Sequence, residues 1–549
     1  MTQISTDDAG FSPLSEEEAV VTKTNFSSPS DDLSTQSSDQ GIASGISFER
    51  ETSKNMICVP AGETTNQRLR LPTDKVKQQA HSSIQRLVKL IPRKSLVVID
   101  LSQRGITAMD AQVLHTALLC NPNLSTLKLG YNNLRDSGCV TIAPAIRSHP
   151  SLAIFDVGFN SIGDIGCEAI SRSITGNNVL ETLYLSGNAV GKGGALALAN
   201  AIQLGCGLTC IHLTANKIGS SGMLILMKAI AIDEMNRQEM IWLREQRSRK
   251  GDVKSSMSLS KHKMLTPVSN CKRDVSISDE SNLITIEGFG SRNDNSSIKK
   301  QTIRELFLGG TAMRAEGCIS LSNMLLTNFS VRVLSLSDNG LTDRDLALLA
   351  QSLSRNKLVP LEVLQLSFNN LTCAGVESLM NAIWGSKTLR EIRLDNNRIR
   401  DRGAQLAAVV LTSVPLQVLD LGFNLITTTG IKALMKTLAE NVSLVSLTLS
   451  GNPLDTNTSK AVSYALAFNR SLKELFMDHC SVGYVAQRHI AAGIVSNRNV
   501  AMKVLTGFPL GAITVTLGFP SALEQWNNDQ VLKFIRFMWE QNNRLEEGM

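Results

Sequence analysis

The residues able to do chemistry stand at spacings that do not support it. His479-Cys480 and His489 bring soft ligands close in sequence, but three ligands fall short of the four that a structural zinc site takes. Cys206 and Cys210 lie near each other with no other soft ligand beside them. Gly187-Asn188-Ala189-Val190-Gly191-Lys192-Gly193 approaches a phosphate-binding loop, yet lacks its spacing and the Ser/Thr that would hold magnesium. No HExxH, paired CxxC or dinucleotide fingerprint occurs. The sequence therefore predicts no catalytic residue, no metal and no cofactor, and the chain is read as a non-enzyme. What remains is recognition. Aromatic and arginine side chains on an exposed face are the usual anchors of a protein interface.

The elements that would present such anchors come from one repeated sentence. An apolar skeleton L-x-x-L-x-L-x-x-N-x-L starts at Leu96, Leu124, Leu152, Leu180, Leu208, Ile303, Val331, Leu361, Leu389, Leu416, Leu444 and Leu472. The steps are 28 residues, apart from one of 30, one of 27 and one of 95. A period in this range marks a solenoid. In Leu124-Ser125-Thr126-Leu127-Lys128-Leu129 the leucines alternate with polar residues, which predicts a short strand with one face inward. Asn132 falls at the bend, where its amide can satisfy backbone groups left unpaired by the strand. Asp136 to Ile146 reads as a helix laid over the leucines through Ile142, Ala145 and Ile146.

The middle outward position of successive strands reads Asp100, Lys128, Asp156, Tyr184, His212, Phe307, Ser335, Gln365, Arg393, Asp420, Thr448 and Phe476. Tyr184, His212 and Phe307 are consecutive rungs and form the leading partner-binding candidate. Glu391, Arg393 and Asp395 make a charged cluster further along, and Phe476 stands at the last rung. Tyr131, Phe159, Phe368 and Phe423, each just before a bend Asn, either wall one rim or pack against the next bend.

The spacing, with the recurring Gly138-Cys139, Gly166-Cys167, Gly194-Ala195, Gly317-Cys318 and Gly403-Ala404, resembles the ribonuclease-inhibitor type of leucine-rich repeat over Leu96 to Val482. The resemblance implies an α/β horseshoe of about 12 repeats, parallel strands concave and helices convex. It also implies a scaffold whose concave face binds a protein. An alternative resemblance, to the GTPase-activating proteins of the Ran GTPase, implies a regulator of a small GTPase. That family looks like a bare horseshoe with a strongly acidic C-terminal tail. Here the chain ends Arg544-Leu545-Glu546-Glu547-Gly548-Met549 and interrupts its repeats with a basic insert. The repeat half of innate immune receptors is a third resemblance, without a nucleotide-binding domain ahead of Leu96.

Composition divides the chain further. Residues 1–72 read as a disordered tail rich in Ser, Thr and acid, with 5 basic and 11 acidic residues in the first 70. A capping helix from Thr73 to Ile91 closes 73–95, repeats 1–5 fill 96–232, and a basic, largely disordered insert fills 233–300. Arg244 to Arg273 carries nine Lys/Arg against two acidic residues. Repeats 6–12 fill 301–499, followed by a cap over 500–549 with a strand at Ile513–Phe519 and an apolar helix at Gln530–Gln541. Ser15, Ser28, Ser248 and Ser276 are regulatory candidates, with tail and insert attracting each other to gate the face. Nucleic-acid contact through the insert is a minor reading, because no aromatic residues interleave its charges. The net charge of +6 is mild for 549 residues. Neither a signal peptide nor a membrane span is expected. The cysteines at repeat positions otherwise filled by alanine predict small core residues in a reducing compartment, cytoplasm or nucleus.

Overall fold

The computed structural model describes residues 96–251 and 302–483, with 485–486, 489–490, 493 and 504–505 beyond them. Each coil is a three-residue strand and a helix. The strands run from β1 (Val98–Asp100) to β12 (Glu474–Phe476), with β13 (Val504–Leu505) as a further rung. All pair parallel in chain order in one sheet, and the strands starting after Leu180 and Leu208 are neighbours in it. The helices cover the opposite side, which makes the unit an α/β leucine-rich-repeat horseshoe.

The repeat skeleton forms the core. In Leu124 to Leu129, Leu124, Leu127 and Leu129 are almost wholly buried while Lys128 is half-exposed. The helix expected from Asp136 runs Arg135–Ser148 (α2; α1 is Ala111–Leu119) and buries Cys139, Ile142, Ala145 and Ile146 at helical spacing. Burial pushes the Cys139, Cys167 and Cys318 thiols up to about 12, as suits inert core residues.

Two polar devices join coil to coil. The bend asparagines stack as a ladder: Asn188 Nδ2 donates to Val157 O of the preceding coil (3.0 Å) and to Leu185 O of its own (2.9 Å). Its Oδ1 accepts from Asn160 N and Ile162 N. The second device was not read from the sequence. An aspartate in the first turn of one helix caps the next helix. Asp136 accepts from Gly163 N and Gly166 N, and Asp164 of α3 (Asp164–Ile174) accepts from Gly191, Gly193 and Gly194 N before α4 (Lys192–Leu204). Carboxylates there satisfy orphan amides and meet the positive end of the helix.

The residue before each bend position has φ between 55° and 68° in the three coils from Tyr131 to Gly187, and similar left-handed values recur through to Gly451 and His479. The aromatic rings there pack against the next bend. A Cβ on Gly187 would lie 2.2 Å from the Phe159 ring, and one on Gly451 would lie 2.3 Å from Phe423. Tyr131 stacks on Phe159 at 4.3 Å. Gly187 is thus required by the ring above it, since Tyr131 and Phe159 hold a similar left-handed φ with side chains.

The apolar residues Met235, Met240, Ile241, Trp242 and Leu243 predict that the helix after Ile218 runs on past its normal length, and helix α5 (Gly219–Gly251) does so, with 33 residues where α4 has 13. The rung β13 lies within the stretch read as cap. Arg104, Thr311 and Cys480 occupy the bend position that Asn fills in the other nine copies. The Thr73–Ile91, Ile513–Phe519 and Gln530–Gln541 expectations lie outside the described residues.

Candidate functional site

Tyr184, His212 and Phe307 close the strands β4 (Thr182–Tyr184), β5 (Cys210–His212) and β6 (Glu305–Phe307), and register sets them side by side. Their rings stack as one column. The Tyr184 and His212 centroids are 4.0 Å apart and the His212 and Phe307 centroids 3.9 Å apart, with interplanar angles of 18° and 8°. The rungs of a parallel sheet repeat at about 4.8 Å, so side chains on one column need lean only slightly to touch. The three residues are half-buried rather than fully exposed, because each ring covers its neighbour.

Burial in this column pushes the His212 imidazole down to about 3, so it is neutral at physiological pH. Cys210, two residues earlier on the same strand face, places Sγ 3.3 Å from His212 Nε2. That pair has the residue types of a thiol nucleophile and its base. Its environment opposes that chemistry: burial and then the nearby Glu305 carboxylate push the Cys210 thiol up. Period 2 in the sequence holds the signal for Cys210 and Glu305, which strand register puts beside the ladder.

The other candidates stand apart. Glu391 and Arg393 pair at 2.7 Å on β9 (Glu391–Arg393), three rungs or about 14 Å from Phe307. Asp395 is buried, accepting from Ser367 Oγ and Asn396 Nδ2, so its carboxylate serves the bend. Phe476 lies six rungs from Phe307, about 29 Å away, and does not join the column. Ser248 lies on α5, while Ser15, Ser28 and Ser276 and the gating by tail and insert lie outside the described residues. The amides of the glycine-rich loop are already taken: Gly191, Gly193 and Gly194 N donate to Asp164, which removes the anion-binding capacity a phosphate loop needs. Cys480 Sγ contacts Leu449 O, and His489 Nδ1 lies 3.0 Å from Ser459 Oγ. Among the described residues, no three His, Cys, Asp or Glu side chains are grouped to hold a metal, and no helix is long and apolar enough to cross a membrane.

Comparison with known proteins bears on what such a face is for. A family model described as "Leucine Rich repeat" matches residues 120–143, 148–171, 176–199, 327–350, 358–380, 385–406 and 412–435. NACHT, LRR and PYD domains-containing protein 14 of Mus musculus is 33% identical over 201 residues, 36% of this chain and 20% of that protein. The ribonuclease inhibitor of Sus scrofa is 29% identical over 212 residues, 38% of this chain and 46% of the inhibitor. The chain thus spans less than half the length of these curated relatives. Among solved structures, Rad7 in complex with Elc1 from yeast aligns with a TM-score of 0.42 at 13% identity, over 79% of this chain and 94% of that one.

Proposed function

The chain is a leucine-rich-repeat protein of the ribonuclease-inhibitor type, and on that premise we propose that it is a non-catalytic scaffold. Its strand face takes a protein partner over Tyr184, His212 and Phe307. The observation that carries the reading is the stacked column itself. Three aromatic side chains on consecutive rungs of the strand face present a rigid edge of low conformational entropy, the kind of surface on which interfaces concentrate binding energy. The neutral imidazole supports this reading, because a charged ring would have to be desolvated on binding. The name of the Sus scrofa relative, an inhibitor of a ribonuclease, describes an activity exerted on a protein, which favours a protein over a small molecule as the ligand here.

The test uses the full chain as bait, with retained proteins identified by mass spectrometry. The Tyr184→Ala, Phe307→Ala double variant should lose the main partner, because truncating one central aromatic anchor weakens binding by about 2 kcal/mol. His212→Phe, which keeps the stack, should retain it. Equal retention by the double variant, with its fold intact by circular dichroism, would move the binding surface off this column.

A further inference from the structure

The turn that follows each helix is held by a second polar ladder, separate from the one at the bends. Asn177, Asn441 and Asn469 each accept two backbone N–H groups of their own turn on Oδ1, those of Val179 and Leu180 in the first case. Each also donates Nδ2 to the preceding coil. Asn177 reaches Ile146 O at 3.1 Å, and Asn469 reaches Leu438 O and Asn441 O. An asparagine amide has no charge to gain or lose, so this joint is indifferent to pH.

At the turn into coil 3 the position is taken by His149. The residue is 4% exposed and reproduces the asparagine contacts with its two ring nitrogens. Nδ1 accepts from Leu152 N at 3.1 Å and from Ser151 N at 3.4 Å. Two donors aimed at Nδ1 leave it no place for a proton, so the hydrogen sits on Nε2, which donates to Asn121 O of the preceding coil at 3.0 Å. In the other described coils this position holds Asn, Ser or Gly, so His149 is its one titratable occupant among the described residues.

We propose that His149 is a proton-operated joint: acid loosens coils 1 and 2 from coil 3 and so shortens the strand face from that end, leaving the column of coils 4 to 6 in place. A second proton on the ring points an N–H at the amides of Ser151 and Leu152, which then lose their acceptor in a buried place. Each coil packs only on its neighbours, so a broken joint frees what lies beyond it. Burial lowers the imidazole below its ordinary 6.5, while the acceptors Asn121 O and Leu118 O pull the other way and do not cancel it. The titratable groups on the surrounding elements are His115 and Cys120 at α1, Arg147 on α2, and Glu168 and Arg172, which pair with each other, on α3. None of them is among the causes of the shift. The opened segment therefore binds the proton more tightly than the closed one, and the joint weakens as the pH falls through about 6.5.

Hydrogen exchange of the full chain at pH 7.5 and 5.5, read peptide by peptide by mass spectrometry and corrected for intrinsic rates, tests this. Coils 8 to 10 contain no histidine and serve as the internal reference. Protection in coils 1 and 2 should fall about five- to tenfold against that reference on acidification. In His149→Asn, which restores the regular joint, the fall should vanish. The proposal is overturned if wild-type coils 1 and 2 keep their relative protection at pH 5.5, or if His149→Asn loses it to the same extent.

Discussion

Coils 2 to 4 and the junction between coils 5 and 6 solve the same problem with different chemistry. In the first region, each coil is tied to the one before it by a bend asparagine and, from Asp136 and Asp164, by a carboxylate that caps the next helix. At the second, Thr311 replaces the asparagine, and its hydroxyl bonds Leu308 O of its own coil and Asn339 Oδ1 of the next, reaching no group of coil 5 among the described residues. Ser220 of α5 stands where Asp136 and Asp164 stand in earlier helices. The two coils are also separated by 95 residues instead of 28. Closing the longer connection costs about 1 kcal/mol more in loop entropy. The backbone ladder persists, with Leu213 N donating to Phe307 O at 2.8 Å. The stack of His212 on Phe307 adds a side-chain contact across the gap worth about 0.5–1.5 kcal/mol, beside the bond from Ser330 Oγ to Glu234. The aromatic column is therefore a staple as well as a surface, and its two roles are separable.

The comparison can be broken first in the regular region. Asn188→Ala removes a side chain that makes hydrogen bonds to two coils and strands several buried backbone groups, so it should destabilise by about 3 kcal/mol. A loss below 1 kcal/mol in urea unfolding would deny the asparagine ladder its role. A sharper measurement is the double-mutant cycle of His212→Ala with Phe307→Ala. It should return a coupling energy near 1 kcal/mol if the stack holds coils 5 and 6 together. Additive losses would leave the column a binding surface alone. Thr311→Asn, which restores the regular device at the junction, should stabilise by slightly less, about 0.5–1 kcal/mol. No gain would mean that the geometry there differs from that around Asn188.

The smallest effect is one of pH. The folded His212 binds its proton only near pH 3 whereas the unfolded chain binds one near 6.5, so the unfolded state holds more protons between these values. Stability is therefore full only well above pH 6.5 and falls as the pH drops toward 3, by roughly 0.7 kcal/mol between pH 7 and 6. Burial lowers His149 too, which adds a contribution of the same sign. His212→Phe should flatten the acid limb of the melting curve without abolishing it. An unchanged limb would mean that the ring is solvated in solution.

The alternation in each copy determined by itself that the chain builds short parallel strands with helices behind them, because leucines at period 2 followed by apolar residues at helical spacing can be buried in few other ways. It also placed Tyr184, His212 and Phe307 on one column, since strict repetition makes strand position a matter of counting. Counting did not reach the roles of individual polar side chains. Asp136 and Asp164 look like ordinary first-turn acids until their partners, 27 to 30 residues ahead, arrive in the next coil. Asp395, which reads as a surface charge, is drawn under the bend by Ser367. The rings before the bends read either as a rim wall or as packing against the next bend, and left-handed backbone lays Tyr131 on Phe159. The overrun of α5 shows as an apolar run in the sequence, but the bond that Glu234 accepts there depends on Ser330, contributed by a neighbouring coil. A local pattern sets what each residue prefers. Only the stacking of coils, which brings together residues a whole repeat or more apart, decides which polar groups find partners.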